Sequence, residues 1–395
     1  MNNQCDVAII GGGIIGSAIA YFLTREGRGG EVCVIEPDPT YEYAASPRSQ
    51  GGIRRVFSLP ENIAMGAYGL EFYSRFETDM AIDGDPQPIS FHRGGYLFIS
   101  DNGGHDEMEA NYHTQIANGA NVELLDRAAL MARFPSIQSP DVVLGVHSPD
   151  DAWIDPYAAM MGFRKSARHQ GVQYIKDKVV GWEGEAGLAR RVTLESGDTV
   201  EADVFVLAAG AWSGELGRLI GFELPVEPLS RDCYHFKCDQ ELEPLPLIKT
   251  EKDIGIRPET IGFSGGMPDW RQGPGWNFNE TPDMFTDTVW PILAELIPAF
   301  ETLKLERSWT GHYARNTLDY NAIIGSWGAR GTESGGMENV YVATGYSGHG
   351  IMHAPATGRA ISELILDGGY QSLDLSAFGY ARVPANEPYL ETGII

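Results

Sequence analysis

The chain is 395 residues long, 43% hydrophobic and 21% charged, enough for two domains with a sizeable core. Its formal net charge of −25 argues against nucleic acid and anionic membrane surfaces as partners. Four cysteines (Cys5, Cys33, Cys233 and Cys238) match neither a disulfide framework nor a zinc spacing, so no metal is expected and a reducing compartment fits.

The chain begins Met1-Asn-Asn-Gln-Cys-Asp without a basic leader, and no apolar run approaches ~18 residues. A cytoplasmic protein with no membrane span is expected. Val7-Ala-Ile-Ile10 reads as a strand buried on both faces. Gly11, Gly13 and Gly16 follow at G-x-G-x-x-G spacing. The first glycine permits a tight turn, the second lets a pyrophosphate approach the backbone, and the third lets a helix pack on the strand. Ile14 and Ile15 open that helix, whose N-terminal amides suit the pyrophosphate. A second strand, Val32–Ile35, ends at Glu36, where a carboxylate accepts from ribose hydroxyls and disfavours a 2′-phosphate. Strand, glycines, helix, strand and acid in this order predict a dinucleotide site that is not one for NADP.

Residues 40–62 are turn-rich and carry Arg48, Arg54 and Arg55 within an acidic protein. They read either as a loop beside the cofactor or as three solvated arginines. Helices are predicted at Ile63–Phe76, Arg127–Phe134 and Tyr157–His169, and strands at Gly95–Ile99, Val172–Ile175, Val179-Val180 and Val192–Leu194. Asp203–Leu207 is a buried strand that runs into the small-residue turn Ala208-Ala-Gly-Ala-Trp-Ser213. Residues 222–305 are rich in proline and aromatics, including Tyr234, Phe236, Trp270, Trp276, Phe278 and Trp290. They read as a second domain whose rings pack a core or wall a pocket. A strand at Asn339–Ala343 leads into Gly345-Tyr-Ser-Gly-His-Gly350, which opens a helix to about Leu366. Two glycine turns at opposite ends suggest one cofactor gripped by both, which points to a flavin over a nicotinamide.

These segments together resemble the D-amino-acid-oxidase-like FAD oxidoreductases, the superfamily of sarcosine oxidase, dimethylglycine dehydrogenase and glycine oxidase. The resemblance rests on Gly11–Glu36, Ser49-Gln-Gly-Gly-Ile-Arg54, Trp153-Ile-Asp-Pro156, Leu207-Ala-Ala-Gly-Ala-Trp212, Thr317-Leu-Asp319 and Gly345–Gly350. Gly51-Gly-Ile-Arg54 with Phe57-Ser-Leu-Pro-Glu-Asn62 is most similar to the FAD-dependent oxidoreductase domain-containing branch. The resemblance implies an α/β and α+β protein: a Rossmann-type FAD-binding domain with an inserted substrate domain built on a mixed β-sheet. The FAD domain would comprise 1–62, 142–222 and 306–372. The substrate domain would comprise 63–141 and 223–305, with 373–395 a C-terminal extension.

Carried over by position, Gly11, Gly13, Ile14, Ile15, Gly16 and Glu36 hold the ADP part, and Val179 contacts adenine. Ser49, Gly51, Gly52, Ala209, Gly210 and Trp212 line the middle of the cofactor. Gly345, Gly348, His349, Gly350 and Ile351 lie toward the flavin ring. His349, Arg54, Tyr313 and Arg315 are the candidate catalytic residues, and Tyr234 and His235 are weaker pocket candidates.

Departures also count. Gly311-His-Tyr-Ala-Arg-Asn316 has no cysteine and Ser46–Gly52 no histidine for flavin attachment, so non-covalent FAD is expected. Met352 stands where sarcosine oxidases place a carboxylate-binding lysine, leaving Arg54 or Arg315 as substitutes. No lysine lies between Lys252 and Lys304, which favours a dehydrogenase over an oxidase. The implied reaction oxidises the C–N bond of a secondary or tertiary amine or amino acid by hydride transfer to flavin N5, giving an imine that hydrolyses. The alternatives are a flavin-binding assembly or scaffold protein and a catalytic subunit of a larger amine dehydrogenase.

Overall fold

A computed structural model describes residues 2–101, 104–185, 187–269, 273–328 and 336–392. Among these residues there are two eight-stranded sheets. The first has the central order Ile323–Ser326, Val340–Thr344, Thr199–Leu207, Asn2–Ile10, Val32–Ile35, Gln173–Ile175. Its inner neighbours pair in parallel, and Ile323–Ser326 closes one edge antiparallel. The hairpin Val179–Glu185 and Leu188–Leu194 is attached alongside Thr199–Leu207. Val7, Ala8, Ile9 and Ile10 are all buried, as a strand covered on both faces requires.

Helix Ile14–Thr24 packs on this sheet, with every residue but Ile15 buried. Helix Gly350–Asp367 lies against it. A Cβ on Gly358 would come 2.9 Å from the Ala18 backbone, so the close approach requires glycine. This contact brings the two glycine turns, early and late in the chain, to one end of the sheet.

The second sheet runs Lys304–Asn316, Val226–Lys237, Phe263–Pro268, Gly255–Pro258, Leu247–Thr250, Tyr96–Ser100, Leu144–Ser148, Glu123–Asp126. It is mixed: Leu247–Thr250 runs parallel to Tyr96–Ser100 and the other neighbours are antiparallel. Leu144–Ser148 and Lys304–Asn316 pair into this sheet, although they fall largely within the segments that the sequence groups with the FAD domain. Its outer face carries a separate core built on Phe236, Ile248, Ile256, Leu293 and Phe300.

Register in this sheet matters for the site. Cys233 sits opposite Gly266, Gly266 opposite Gly255, and Gly255 opposite Lys249. Directly opposed residues share a face. Two glycines thus make a bare strip of sheet between Cys233 and Lys249.

The predicted helices occur as Pro60–Ser74, Arg127–Arg133 and Pro156–His169, and Asp155 caps the last through Ala158 N. Helix His105–Ala117 was not foreseen. Its mean hydropathy is low and only Met108 and Gln115 are buried, so its apolar periodicity is weak. The C-terminal segment is anchored: Arg382 donates to Asp319 at 2.7 Å, and Tyr389 N donates to the same carboxylate at 3.0 Å.

Candidate functional site

A cavity of about 490 Å³ runs between the two sheets and is lined by both. Its first end is built from the early glycine turn. Gly11 has φ +101°, and a Cβ there would lie 2.8 Å from Ala208 C, so only glycine fits. Gly13, by contrast, faces open space: nothing lies within 4 Å of a Cβ built on it. Gly13 is the N-cap of helix Ile14–Thr24 and no side chain caps that end, which leaves its first amides for a ligand. Glu36 accepts from Gly12 N at 2.8 Å and Asp38 N at 2.9 Å, while burial pushes its carboxyl up. Each oxygen keeps a further lone pair for a hydroxyl donor. Ile14, Ile15 and Val179 line this same end.

The middle of the cavity is lined by Ser49, Gly52, Ala209, Gly210 and Trp212. Arg48 ties an early loop to the second sheet here, donating to Glu42 O and to Thr310 O at 2.6 Å each. The other end gathers groups from distant parts of the chain. Arg54 is 3% exposed, donates to Val56 O at 2.9 Å, and lies 3.0 Å from His349 Nε2 through Nη2. A guanidinium only donates, so His349 Nε2 accepts and the ring proton sits on Nδ1. Burial first, then Arg54 and His353, hold His349 well below its ordinary pKa. It is therefore a neutral imidazole at neutral pH. Gly348, Gly350 and Ile351 line the wall beside it, and Gly348 at φ +108° leaves room for the Tyr313 ring.

Tyr313 Oη accepts from Arg231 Nη1, and Arg231 Nη2 donates to Gly266 O at 3.0 Å. Arg231 Nε is buried without a partner. Burial pulls the Arg231 pKa down, but Tyr313 and Cys233 outweigh it and the group stays cationic. Lys249 also faces the cavity, and burial, with Arg231 and Arg54, holds its ammonium well below the usual lysine range.

Four candidates from the sequence do not line the cavity. Gly16 packs the helix against the Gly11 carbonyl, Gly51 (φ +72°) lets Ile154 O approach, and Gly345 (φ +75°) sits against Asn316 and Val226. These three shape the turns. Arg315 shares the strand face of Tyr313 but pairs with Glu227 beyond the cavity lining, which removes it as a substrate anchor. The weaker candidates also fall elsewhere: Tyr234 packs on Phe285, and His235 binds Ile261 O at 2.8 Å. Trp270 lies outside the described residues.

Sequence reasoning missed Arg231, Lys249, Gly255, Tyr96 and Gln50. One signal was present: Arg231 and Cys233, two apart in a strand, share a face. The absence of lysine between Lys252 and Lys304 holds, but it does not leave the cavity without a lysine. Lys249, just before that gap, puts its amine in the cavity.

Comparison with known proteins follows the same outline. The family described as FAD dependent oxidoreductase matches residues 6–364. The chain belongs to this family of FAD-dependent oxidoreductases. The FAD-dependent oxidoreductase domain-containing protein 1 of Xenopus laevis is 35% identical, covering 99% of this chain and 85% of that one. The glycine oxidase of Bacillus licheniformis is 27% identical, over 98% of this chain and 99% of that one. Among solved structures, the L-proline dehydrogenase from P. horikoshii superposes with a TM-score of 0.85 at 24% identity, covering 98% of this chain and all of that one. No helix among the described residues of this family member is long and apolar enough to cross a membrane.

The family's cofactor is FAD, and the cavity of this oxidoreductase fits it. The open space at Gly13, the uncapped helix end, the Glu36 carboxylate and the unpartnered Tyr41 Oη line one continuous cleft ending at His349.

Proposed function

We propose that this protein oxidises the C–N bond of a secondary or tertiary amine or amino acid. The observation that carries the reading is Arg231. It is a buried guanidinium with an unpartnered Nε, braced by Tyr313, and it faces the end of the cavity remote from Glu36. Such a group fits a substrate carboxylate, bound in a pair of charge-assisted hydrogen bonds. The names of the glycine oxidase and L-proline dehydrogenase relatives support an amino-acid substrate. In this reading the unit built on the second sheet supplies the substrate anchors and the first supplies the cofactor cradle.

FAD, when bound, supplies the two-electron acceptor for the hydride leaving the substrate carbon. Gly11, Gly13 and Glu36 would hold its ADP part, with Gly16 letting the helix pack close behind the turn. Ser49, Gly52, Ala209, Gly210 and Trp212 would hold its middle. His349, Gly350 and Ile351 would hold the ring at a helix N-terminus whose dipole favours negative charge. Arg54 fixes the orientation of His349 and adds to burial, the larger cause, in keeping it neutral. Arg231 and Tyr313 would orient the substrate. Leu247, Tyr96 and Met352 wall the same end and exclude water. Non-covalent FAD belongs to this reading. Cys233 lines the cavity, but burial pushes its thiol up, so little thiolate forms.

The test is an anaerobic absorbance titration of the FAD-loaded protein with N-methyl amino acids, cyclic imino acids, D-amino acids and simple secondary amines. Bleaching by at least one class is the expected result, and readmitting air then separates an oxidase from a dehydrogenase. Full FAD occupancy with no bleaching by any class would sink the reading.

A further inference from the structure

We infer that the substrate carries two anionic groups, one held by Arg231 with Tyr313 and the other by Lys249. This rests on the reading of the cavity as an amine or amino-acid site and names the class of substrate it takes. The cavity end holds an imbalance of charge. Lys249 is buried on strand Leu247–Thr250 and makes no side-chain hydrogen bond or ion pair among the described residues. Arg231 is buried with it and its Nε has no partner.

The two groups converge. A Cβ built on Gly255 would lie 3.3 Å from Arg231 Nη2 and 3.9 Å from Lys249 Nζ. Gly255 stands directly opposite Lys249 on one side and Gly266 on the other. Any side chain at 255 would press on both cations, so the bare strip keeps their approach clear. The walls supply no counter-charge. Glu36 and Asp38 are the carboxylates lining this cavity among the described residues, and both stand at the Glu36 end. Asp253 acts on Lys249 from a different cavity, behind Phe57 and Phe98.

A buried cation without a counter-charge either gives up its proton or is matched by an incoming anion. Arg231 cannot give up its proton. One carboxylate on the substrate satisfies Arg231 and Tyr313 and leaves Lys249 unmatched. A second carboxylate would let Lys249 hold its proton and form a charge-assisted bond, strong in a water-poor site. The substrate is then an amine with an acidic arm on each side of the nitrogen, or an N-alkyl amino acid with an acidic side chain.

The test uses the FAD-loaded protein and two thioethers with no nitrogen to oxidise: thiodiacetate, a dianion, and methylthioacetate, a monoanion. Binding is read from the visible spectrum of the flavin. Thiodiacetate should bind about tenfold more tightly or better. Lys249→Met should abolish that preference, lowering thiodiacetate affinity far more than methylthioacetate affinity, and Lys249→Arg should retain most of it. Equal affinities, no binding of either thioether, or a preference that survives Lys249→Met would each overturn the inference. A lysine that served only flavin reoxidation would give the last result. The two readings fail separately. Bleaching by monoanionic amines without a dianion preference removes this inference alone, whereas a dianion preference without bleaching by any amine removes the proposed reaction.

Discussion

Arg54 Nη2 lies 3.0 Å from His349 Nε2, joining an early loop to a late glycine turn 295 positions away. Both groups are buried, and the Arg54 guanidinium also rests over the Phe57 ring at 4.2 Å. The contact ties the orientation of a pocket imidazole to the loop that follows Gly52. Replacing Arg54 by Met should raise the His349 pKa, because the second cause of its depression is removed. Burial, the first cause, remains, so the ring should still titrate below an ordinary histidine. Histidine ring resonances followed by NMR against pH would show this; an unmoved His349 would mean that the guanidinium contributes nothing.

Gly11 and Gly13 belong to one motif but should separate folding from binding. Gly13→Ala has room on every side and a φ of −63°, so the FAD-free protein should keep its stability within about 0.5 kcal/mol. Its methyl would occupy space left for the pyrophosphate, so FAD affinity should fall. Gly11→Ala meets the Ala208 backbone at a φ of +101° and should destabilise the FAD-free protein by about 1–3 kcal/mol. Urea unfolding of the FAD-free proteins, with FAD fluorescence for affinity, would show whether the two effects part in this way.

His353 gives a pH dependence of known sign. Burial first, then Arg54, hold it down to about 3. Between that value and the ordinary ~6.5, the unfolded chain binds a proton that the folded one refuses. Its contribution to stability is present above ~6.5 and is lost as pH falls toward about 3. Buried Asp151, with its pKa raised chiefly by burial, pulls the other way, so the comparison must be between proteins. His353→Asn should flatten the fall in urea-unfolding free energy between pH 6.5 and pH 4, a range set by the ordinary ~6.5. Parallel curves for the two proteins would count against a neutral buried His353.

The C-terminal segment should matter for stability. Asp319 is fully buried and receives Arg382, Asn316, Asn321 and Tyr389 N. Arg382→Met leaves that carboxylate without its cation and should cost about 3 kcal/mol. Adding Asp319→Asn should recover part of the loss, because no buried charge is then stranded. Thermal melts of the single and double variants would decide; a double variant less stable than Arg382→Met by the full cost of Asp319→Asn would show that the two side chains act independently.

Much of the cofactor end was legible in the residues. Strand, three glycines, helix and Glu36 lie within 36 consecutive positions, so their spacing carries the geometry directly. The late turn was legible for the same reason, as Gly345, Gly348 and Gly350 each act within a few residues of one another. Arg315 was misread. It has the right chemistry and stands two residues from Tyr313, but its partner Glu227 lies on a neighbouring strand that sequence spacing does not reveal.

The sequence by itself determined the local geometry of the two glycine turns and of the Glu36 strand end. A tight turn, a helix end and a terminal carboxylate are consequences of backbone conformation over a few positions. Only the tertiary structure decided which basic side chains face the end of the cavity remote from Glu36. Lys249, Gly255, Gly266 and Cys233 form one row because four strands pair in a particular register, and Arg231 joins them from two residues along its strand. No local periodicity encodes that row. It follows from burying both sheets against their cores at once, which fixes register and leaves a guanidinium, an amine and a bare glycine strip facing the same space.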